Sequence, residues 1–377
     1  MANFYFIPTI YQPNTAATNR AISFIKGFSE LGVKTQVVYF EPNEGKDTFL
    51  APLENIEFIY YWKSFYWDNK IAKYIILLFY YFHFLIKLKK GDTVLCYSQA
   101  CIWNLILKWR RGVRIFVEHT EHPEVVGIGG KFLTPSWKNY YRGLNKIEGL
   151  FVITSALKQF FVDKGVCPDR IHITNIVVDT KRFDGLKESA SAMPYVAYCG
   201  TASNNKDGVD QLIKAFSIVS KTHPDLQLHI AGKIPDNDEA GNLQLIKDLG
   251  LIDKVVLKGI IGADLMPQFL KDAVMLALDR PGNTQAKYGF ATKMGEYLMT
   301  GNPVVVTDVG DFHLFLKDKE SAILTQPDNV NAFADGLKWV FEHPDLSEKI
   351  GMQGRQVALS EFSYTAVSSK LLVKMFS

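Results

Sequence analysis

The sequence predicts an α/β protein built from two doubly wound domains, each with a parallel sheet covered by helices. Its 377 residues exceed the ~250–300 that one hydrophobic core usually serves. Short apolar runs alternate with helical patterns, which is typical of βαβ units. The alternation stops at a small, polar stretch near residue 190 and then starts again. With 47% hydrophobic and 21% charged residues, the composition excludes disordered and collagen-like chains.

The first half contains seven runs of four to eight apolar or β-branched residues, the pattern of buried strands. They span residues 4–8, 35–40, 56–61, 93–98, 114–120, 150–154 and 171–178. Apolar residues three or four positions apart predict the first helix, at Ile22, Ile25, Phe28 and Leu31. The opening MANFYFIPTI lacks a basic segment before a long apolar core, so it predicts a buried strand and no secretory signal.

The second half repeats this organisation. Six further strands are predicted at residues 195–200, 226–232, 255–259, 274–279, 303–308 and 322–325. Helical spacing recurs between them at Val209, Leu212, Ile213 and Phe216. The predicted domains are therefore 1–188 and 189–360. Residues 361–377 are predicted to form a C-terminal helix that packs back onto the first domain, from the spacing of Val367, Leu371, Leu372 and Met375.

Charge is distributed unevenly, although the net charge is only +3. Up to Ala190 there are 24 Lys and Arg against 17 Asp and Glu, and beyond it 18 against 22. The first domain is therefore expected to suit an anionic surface, and no nucleic-acid partner is indicated. Neither zinc-site pairs nor a disulfide scaffold is seen among the cysteines, Cys96, Cys101, Cys167 and Cys199. This pattern predicts a cytoplasmic protein.

One segment departs from the amphipathic pattern. The run from Tyr74 to Ile86 (YIILLFYYFHFLI) is apolar almost all round and, at thirteen residues, is shorter than the ~20 needed to span a bilayer. Lysines flank it on both sides, at Lys70, Lys73, Lys87, Lys89 and Lys90. Two interpretations stay open: a buried helix, or a helix in the interface of an anionic membrane, with the aromatic residues of 60–67 nearby.

Two stretches carry the side chains expected of a ligand site. In parallel sheets, ligands bind beyond the carboxyl ends of the strands. Gly200 ends a predicted strand and Lys206 follows it, a pattern suited to holding a diphosphate beside a helix that begins near Asp207. A second loop carries Arg280 and leads into GFATKMGE, where the carboxylate of Glu296 could accept hydrogen bonds from a ribose.

Together these stretches resemble the donor-nucleotide domain of retaining glycosyltransferases with the GT-B fold, of the glycosyltransferase family 4 type (glycosyl transferases group 1). The matching elements are Gly200-x5-Lys206, the L-x-I-x-G strand to Gly232, the V-x-x-x-G strand to Gly259, and G-F-x-x-K-x-x-E-Y-L-x-x-G-x-P-V-V from Gly289 to Val305. The resemblance implies two Rossmann-like domains facing across a cleft, with the acceptor on the first and the nucleotide sugar on the second.

The resemblance also implies roles for individual residues. Lys206 would bind donor phosphates and Glu296 the ribose hydroxyls, while Arg280 and Lys293 would add positive charge near the leaving diphosphate. The residues implied at the donor are Gly200, Thr201, Lys206, Arg280, Gly289, Phe290, Ala291, Lys293 and Glu296. Two positions depart from the family pattern, because Thr201 stands where Arg is frequent and Tyr288 where a sugar-binding Glu is frequent.

The first half resembles the acceptor domain more loosely. Asn175, Asp179 and Phe183 lie near the family's N-x-x-D-x-x-x-F pattern, with one extra residue between the first two. The stretch EHTEHPE follows a predicted strand, and by resemblance His119 and Glu121 would contact substrate there as catalytic groups. A local hydrogen-bond cluster and, on weaker grounds, a metal site are the other interpretations.

The predicted activity is transfer of a hexosyl group from a nucleotide diphosphate sugar, UDP- or GDP-linked, to an acceptor hydroxyl with retention of configuration. Charge stabilisation at the leaving diphosphate is assigned to Lys206 and Arg280, so no metal and no further cofactor is required. The expected acceptor is a lipid-linked glycan of polysaccharide assembly, at the cytosolic face of a membrane. A nucleotide-sugar epimerase or phosphorylase of the same fold, or a non-catalytic nucleotide-sugar-binding subunit, remains an alternative.

Overall fold

The computed structural model describes residues 2–8, 12, 15–40, 52–61, 70–97, 100–123, 136–187 and 193–377. They form two compact units. The first comprises Met1–Val177 and Tyr364–Ser377, and the second comprises Val178–Ser363. Residues 178–187 thus go with the second unit, whereas the predicted boundary at 188 placed them in the first.

The first unit is a parallel sheet of seven strands with helices. The strands are β1 Phe4–Ile7, β2 Thr35–Tyr39, β3 Ile56–Tyr60, β4 Thr93–Tyr97, β5 Arg114–His119, β6 Gly149–Val152 and β7 Ile171–Ile173. The helices are α1 Ala16–Glu30, α2 Lys70–Lys87, α3 Ala100–Trp109, α4 Trp137–Leu144, α5 Ser155–Asp163 and, from the end of the chain, α15 Tyr364–Phe376. The strand order is β3-β2-β1-β4-β5-β6-β7.

The predicted return of the C-terminal helix is confirmed by its packing within the first unit. Apolar side chains of α15 join a core cluster that includes Phe24 and Phe28 of α1. Gly27 allows the two helices to approach closely, since a Cβ there would lie closer than 3.0 Å to the Ser368 hydroxyl. Each fully buried aromatic or aliphatic side chain in this cluster contributes about 1.5–3 kcal/mol. The last helix is therefore part of the first core.

The second unit is a parallel sheet of six strands. They are β8 Tyr195–Cys199, β9 Gln227–Ala231, β10 Val255–Gly259, β11 Met275–Leu278, β12 Val304–Thr307 and β13 Ile323–Thr325. The helices are α6 Asn204–Asp207, α7 Val209–Val219, α8 Asp236–Asp248, α9 Met266–Lys271, α10 Thr284–Tyr288, α11 Lys293–Met299, α12 Phe312–Phe315, α13 Val330–Glu342 and α14 Pro344–Val357. The strand order is β10-β9-β8-β11-β12-β13.

The predicted fold class is confirmed, because each predicted strand has an observed counterpart. Strand β7 differs most, since it ends at Ile173 and not at Val178. Beyond it, the carbonyls of Thr174 and Asn175 accept hydrogen bonds from Arg20, at 3.3 and 2.6 Å. The amide of Val178 then donates to the carbonyl of Phe362 at 2.8 Å. The carbonyls of Thr174 and Asn175 and the amide of Val178 thus bond to groups outside the sheet, so they do not extend β7.

Helix α2 contains the apolar run from Tyr74 to Ile86. One of its faces is buried, through Tyr81, Phe84 and Leu85. The opposite face leaves large apolar side chains exposed, so the helix is neither fully buried nor fully amphipathic. Within the residues that the structure describes, no helix has the length and hydropathy needed to cross a membrane.

Candidate functional site

The candidate site lies in the second unit, at the carboxyl ends of β8 and β11. These neighbouring strands mark the point where the chain reverses its direction across the sheet, since β9 and β10 lie on one side and β12 and β13 on the other. Ligands of doubly wound sheets bind at such a switch point. The predicted donor-binding residues come from the segments that follow these two strands.

Asp207 organises the charged groups at this point. Its Oδ2 lies 2.5 Å from the Lys293 ammonium and accepts a hydrogen bond from the Tyr198 hydroxyl at 2.7 Å. Its Oδ1 lies 3.5 Å from Nε of Arg280. Lys293 also donates to the Tyr198 hydroxyl at 3.0 Å and lies over its ring. Two cations and one carboxylate therefore share a mostly buried cluster.

Burial and charge act in opposite directions on the pKa values of this cluster. Burial raises the pKa of Asp207, but Lys293, Arg280 and the hydrogen bonds from Lys293 and Tyr198 together bring it below its usual value. Burial lowers the pKa of Lys293, against the effect of Asp207, and the nearby charge of Lys206 lowers it further. Lys206 and Lys293 are therefore close enough to interact.

Lys206 is anchored through its backbone amide. Its side-chain ammonium has no counter-ion among the described residues. Lys206 lies in the four-residue helix α6, ahead of the helix that the sequence predicts near Asp207, and its amide donates to the Ser203 hydroxyl at 3.3 Å. Its side chain is only partly buried. It forms no ion pair with any residue of the described ranges. Among the cations at these strand ends, Lys206 is thus suited to meet an anionic ligand.

Gly200 is required by the position of Lys293. It has a φ of +130°, and a Cβ at this position would lie closer than 3.0 Å to the Lys293 ammonium. The neighbouring Thr201 is exposed, and its carbonyl oxygen lies 2.8 Å from the Tyr198 hydroxyl oxygen. Glycine at this position therefore allows the Lys293 side chain to approach the end of β8 closely. It also leaves that end of the strand without a side chain.

The segment 289–291 is fixed by a buried aromatic ring. Phe290 is buried and packs edge-on against Phe312 at 4.8 Å between ring centroids. Gly289 and Ala291 on either side remain partly exposed, directly before α11. The loop before this segment is joined to α6, because the side-chain amide of Asn283 donates to the carbonyl of Asn205 at 2.6 Å. The segment 289–291 thus leads directly into α11, which carries Lys293 of the charged cluster.

Glu296 lies on the first turn of α11, where its carboxylate has a partner from another segment. Nη1 of Arg182 donates to Oε1 of Glu296. The other end of the guanidinium, Nη2, donates to the carbonyl of Ala263 at 2.5 Å. The predicted ribose-binding residue therefore carries an ion pair in this structure.

Asp207, Tyr198 and Arg182 also belong to the site, although the sequence did not predict them as members. Asp207 gave a signal, since it follows Lys206 directly within the same motif. Tyr198 lies on β8, where an aromatic residue is expected from packing alone. Arg182 pairs with a residue 114 positions away, and no local pattern indicates that contact.

His119 lies at the end of β5, and its contact with substrate stays a prediction. Its side chain is 1% exposed and its Nε2 is hydrogen-bonded to the Tyr140 hydroxyl. Burial lowers the pKa of His119 to about 4, so the imidazole is neutral at pH 7. In this structure the imidazole packs against the rings of Tyr140 and Phe161. Glu121 is exposed beyond the end of β5, and its role stays a prediction. Residues 124–135, with the end of EHTEHPE, lie outside the described residues.

Comparison with known proteins matches a family model to part of the second unit. Residues 193–343 match the family model described as Glycosyl transferases group 1. The second unit is therefore similar to the glycosyl transferases of group 1 over most of its length. The match covers β8 to the end of α13, and thus the charged cluster around Asp207.

Individual relatives extend the comparison. A mannosylfructose-phosphate synthase of Agrobacterium fabrum is 26% identical over 226 residues, 56% of this chain and 48% of that protein. An MMP alpha-(1->4)-mannosyltransferase of Mycolicibacterium hassiacum is 23% identical over 297 residues, 75% of this chain and 70% of that protein. The crystal structure of Anabaena HepE in complex with UDP and glucose superimposes with a TM-score of 0.73, at 14% identity and full coverage of both chains. The chain has the GT-B fold.

Proposed function

We propose that the protein is a retaining glycosyltransferase that moves a hexosyl group from a nucleotide diphosphate sugar to a glycan hydroxyl. The observation that carries the proposal is the unpaired ammonium of Lys206 at the switch point of the group 1 domain, beside the Asp207 cluster. A diphosphate is the anion that such a lysine fits, since its charge increases as the glycosidic bond breaks. Relatives of the chain that transfer sugars support this assignment.

The proposed reaction needs no protein nucleophile. The bond from the sugar C1 to the diphosphate oxygen breaks while the acceptor oxygen bonds to C1 on the same face. The bonding electrons leave with the diphosphate, and its oxygen takes the proton of the acceptor hydroxyl. Lys206 compensates the negative charge that develops there. Lys293 and Arg280 add to the positive potential, although Asp207 compensates part of their charge.

The proposed donor is UDP- or GDP-linked. The ribose would be held by Glu296, and the diphosphate by Lys206 and the backbone of 289–291. HepE, which shares the fold, was crystallised with UDP and with UDP-glucose, and this favours UDP as the first nucleotide to test. Thr201 and Tyr288 differ from the family pattern, so they are proposed to set how the donor sugar is contacted.

A calorimetric titration with UDP, GDP, ADP and CMP, in EDTA and in Mg²⁺, tests the donor site. We expect one diphosphate to bind in EDTA with millimolar affinity or better. Turnover of the matching sugar nucleotide with glycan acceptors, followed by proton NMR of the product, then gives the anomeric configuration. A product of inverted configuration would contradict retention, and an isomerised free sugar nucleotide would indicate an epimerase. Binding without turnover on any acceptor would indicate a non-catalytic subunit.

We further propose that the acceptor is lipid-linked and that the first unit docks on an anionic membrane. Four apolar side chains of α2 and one of α3 form an exposed group, here called the α2–α3 patch: Ile75, Phe79, Phe82, Ile86 and Trp109. Phe82 and Trp109 lie 6.3 Å apart between ring centroids, so the two helices contribute to one surface.

Exposed basic residues lie close to the patch along the chain, at Lys87, Lys89, Lys90, Lys108 and Arg111. Aromatic side chains beside lysines suit the headgroup region of a bilayer with anionic lipid. A protein partner that covered only the apolar patch would leave these basic residues without a role. The positive charge of these basic residues therefore favours a lipid surface as the partner of the α2–α3 patch.

Vesicle sedimentation tests this docking. We expect the protein to bind phosphatidylglycerol vesicles at low salt and to be released as salt rises. Phe79→Ser combined with Trp109→Ser should abolish sedimentation. Ile260→Ser, a change of an exposed apolar residue in the second unit, is the matched control. Equal sedimentation of the double variant and the control would contradict the proposal.

A further inference from the structure

We propose that Arg182 is a positioning residue for the donor ribose, acting through Glu296. The inference rests on the proposed function, because it concerns the nucleotide of that same site. Arg182 lies in the 3-10 turn Thr180–Phe183, more than a hundred positions before α11. Nothing in the sequence patterns considered above gave it a role, whereas its guanidinium reaches the carboxylate assigned to the ribose.

The guanidinium connects three segments of the second unit. Nη1 contacts Oε1 of Glu296 at the start of α11, and Nη2 donates to the carbonyl of Ala263 in the loop after β10. The Arg182 and Glu296 side chains are 26% and 21% exposed, so the pair is partly shielded from water. The planar fork of an arginine fixes both contacts in one orientation, which the single ammonium of a lysine cannot do.

The turn that carries Arg182 is itself anchored on both sides. Oδ1 of Asp179 accepts a hydrogen bond from the amide of Lys181 at 3.2 Å and so caps the turn. Phe183 is buried directly after Arg182. Before the turn, the amide of Val178 is hydrogen-bonded to the carbonyl of Phe362. Arg182 therefore extends from a fixed backbone, and a fixed backbone lets its side chain hold another group in place.

The contact leaves part of the carboxylate available. Among the described residues, Arg182 contacts Oε1 of Glu296, and Oε2 has no hydrogen-bond partner. A ribose diol has two hydroxyl donors, and a carboxylate held at one oxygen presents the other in a defined direction. We infer that Arg182 sets the rotamer in which Glu296 meets the diol, so that less side-chain freedom is lost when the nucleotide binds.

The experiment compares two nucleotides. The diphosphate that the wild-type protein binds and its 2′,3′-dideoxy analogue are titrated into the wild type, Arg182→Met, Arg182→Lys and Glu296→Gln. We expect Arg182→Met to weaken binding of the ribose nucleotide about tenfold and that of the dideoxy analogue by less than about twofold. Glu296→Gln should show the same selective loss, and Arg182→Lys a smaller one. In the double variant Arg182→Met/Glu296→Gln the two losses should not add.

Lys181→Met is the matched control, because it removes the same charge from the neighbouring position of the same turn. It should leave both affinities unchanged. An equal loss for both nucleotides in Arg182→Met would overturn the inference and assign Arg182 to holding the three segments together. Should Arg182→Met fail to fold, Arg182→Lys and Glu296→Gln still make the comparison, and equal losses there overturn it as well. A wild-type protein that binds none of UDP, GDP, ADP and CMP would instead overturn the proposed function.

Discussion

At the scale of single residues, the second unit places two cations, Lys293 and Arg280, against the carboxylate of Asp207, and a third, Lys206, near Lys293. Asp207 compensates most of the charge of Lys293 and part of that of Arg280, since it contacts both. Lys206 receives no such compensation within the described residues. The positive potential offered to a ligand therefore depends on Lys206 more than on the two cations that lie deeper.

Replacing Lys206 tests this division. We expect Lys206→Ala to lower kcat about 10²–10³-fold, because charge at the leaving diphosphate is no longer compensated. The free energy of unfolding should change by less than about 0.5 kcal/mol, since the side chain is partly exposed and unpaired. Steady-state kinetics and urea unfolding measure the two effects. Lys214→Ala, on the next helix, is the control and should leave kcat unchanged, whereas full turnover by Lys206→Ala would remove the lysine from the mechanism.

Asp279, directly after β11, gives the second unit a dependence on pH. It is 3% exposed, and burial, followed by the charges of Asp210 and Asp328, raises the pKa of Asp279 to about 7. The unfolded chain releases this proton near pH 4. Between these values the unfolded state binds fewer protons than the folded state, so stability falls as pH rises from about 4 to 7.

The variant Asp279→Asn should remove that dependence. An amide resembles the protonated carboxyl but does not ionise, so the loss of about 3–4 kcal/mol across this window should disappear. Urea unfolding at several pH values, compared with the exposed control Asp335→Asn, measures it. The same slope in Asp279→Asn and wild type would show that another group is responsible.

At the scale of elements, the strands were predictable and the helix ends were not. A buried parallel strand is an uninterrupted apolar run, which is why β1 and β8 are visible in the sequence. Helix α6 is four residues long, too short for a periodic pattern, so the sequence does not predict a helix at Lys206. The burial of His119 depends on Tyr140 of α4, and the partner of Glu296 on a turn far away along the chain. Such contacts are set by tertiary packing, and the sequence carries no local sign of them.

The close approach of α1 and α15 predicts how adding one methyl group at Gly27 changes the stability of the first unit. We expect Gly27→Ala to destabilise the first unit by about 1–3 kcal/mol, because its Cβ would overlap the Ser368 hydroxyl. Removing that hydroxyl with Ser368→Gly should restore part of the loss. Gly241→Ala is the matched control, since it lies in α8 with nothing within 4 Å, and it should stabilise by up to about 1 kcal/mol. Thermal unfolding distinguishes the two substitutions, and equal shifts would contradict the packing argument.

At the scale of the whole molecule, the chain leaves the first unit after Val177 and returns to it at Tyr364. The returning helix contributes five buried side chains to the first core, at Tyr364, Val367, Leu371, Leu372 and Met375. At about 1.5–3 kcal/mol each, their burial is comparable to the ~5–15 kcal/mol by which a domain is stable. The first unit therefore depends on residues that follow the whole second unit in the sequence.

A chain ending at Ser363 tests that dependence. We expect proteolysis to cut residues 1–177 rapidly in this truncated protein, while residues 178–363 stay protected and still bind the nucleotide. Mass spectrometry of the fragments gives the result. Equal protection of both units would mean that α15 contributes little to the first core.

The late position of α15 also has a consequence during synthesis. When residues 1–177 leave the ribosome, the surface of α1 that α15 covers is still open, and it stays open until the second unit has been made. At ordinary elongation rates this interval lasts roughly 10–40 s. During that time the aromatic residues of α1 are accessible to chaperones and to other nascent chains, so the yield of folded protein in a cell depends on how that exposed surface is protected.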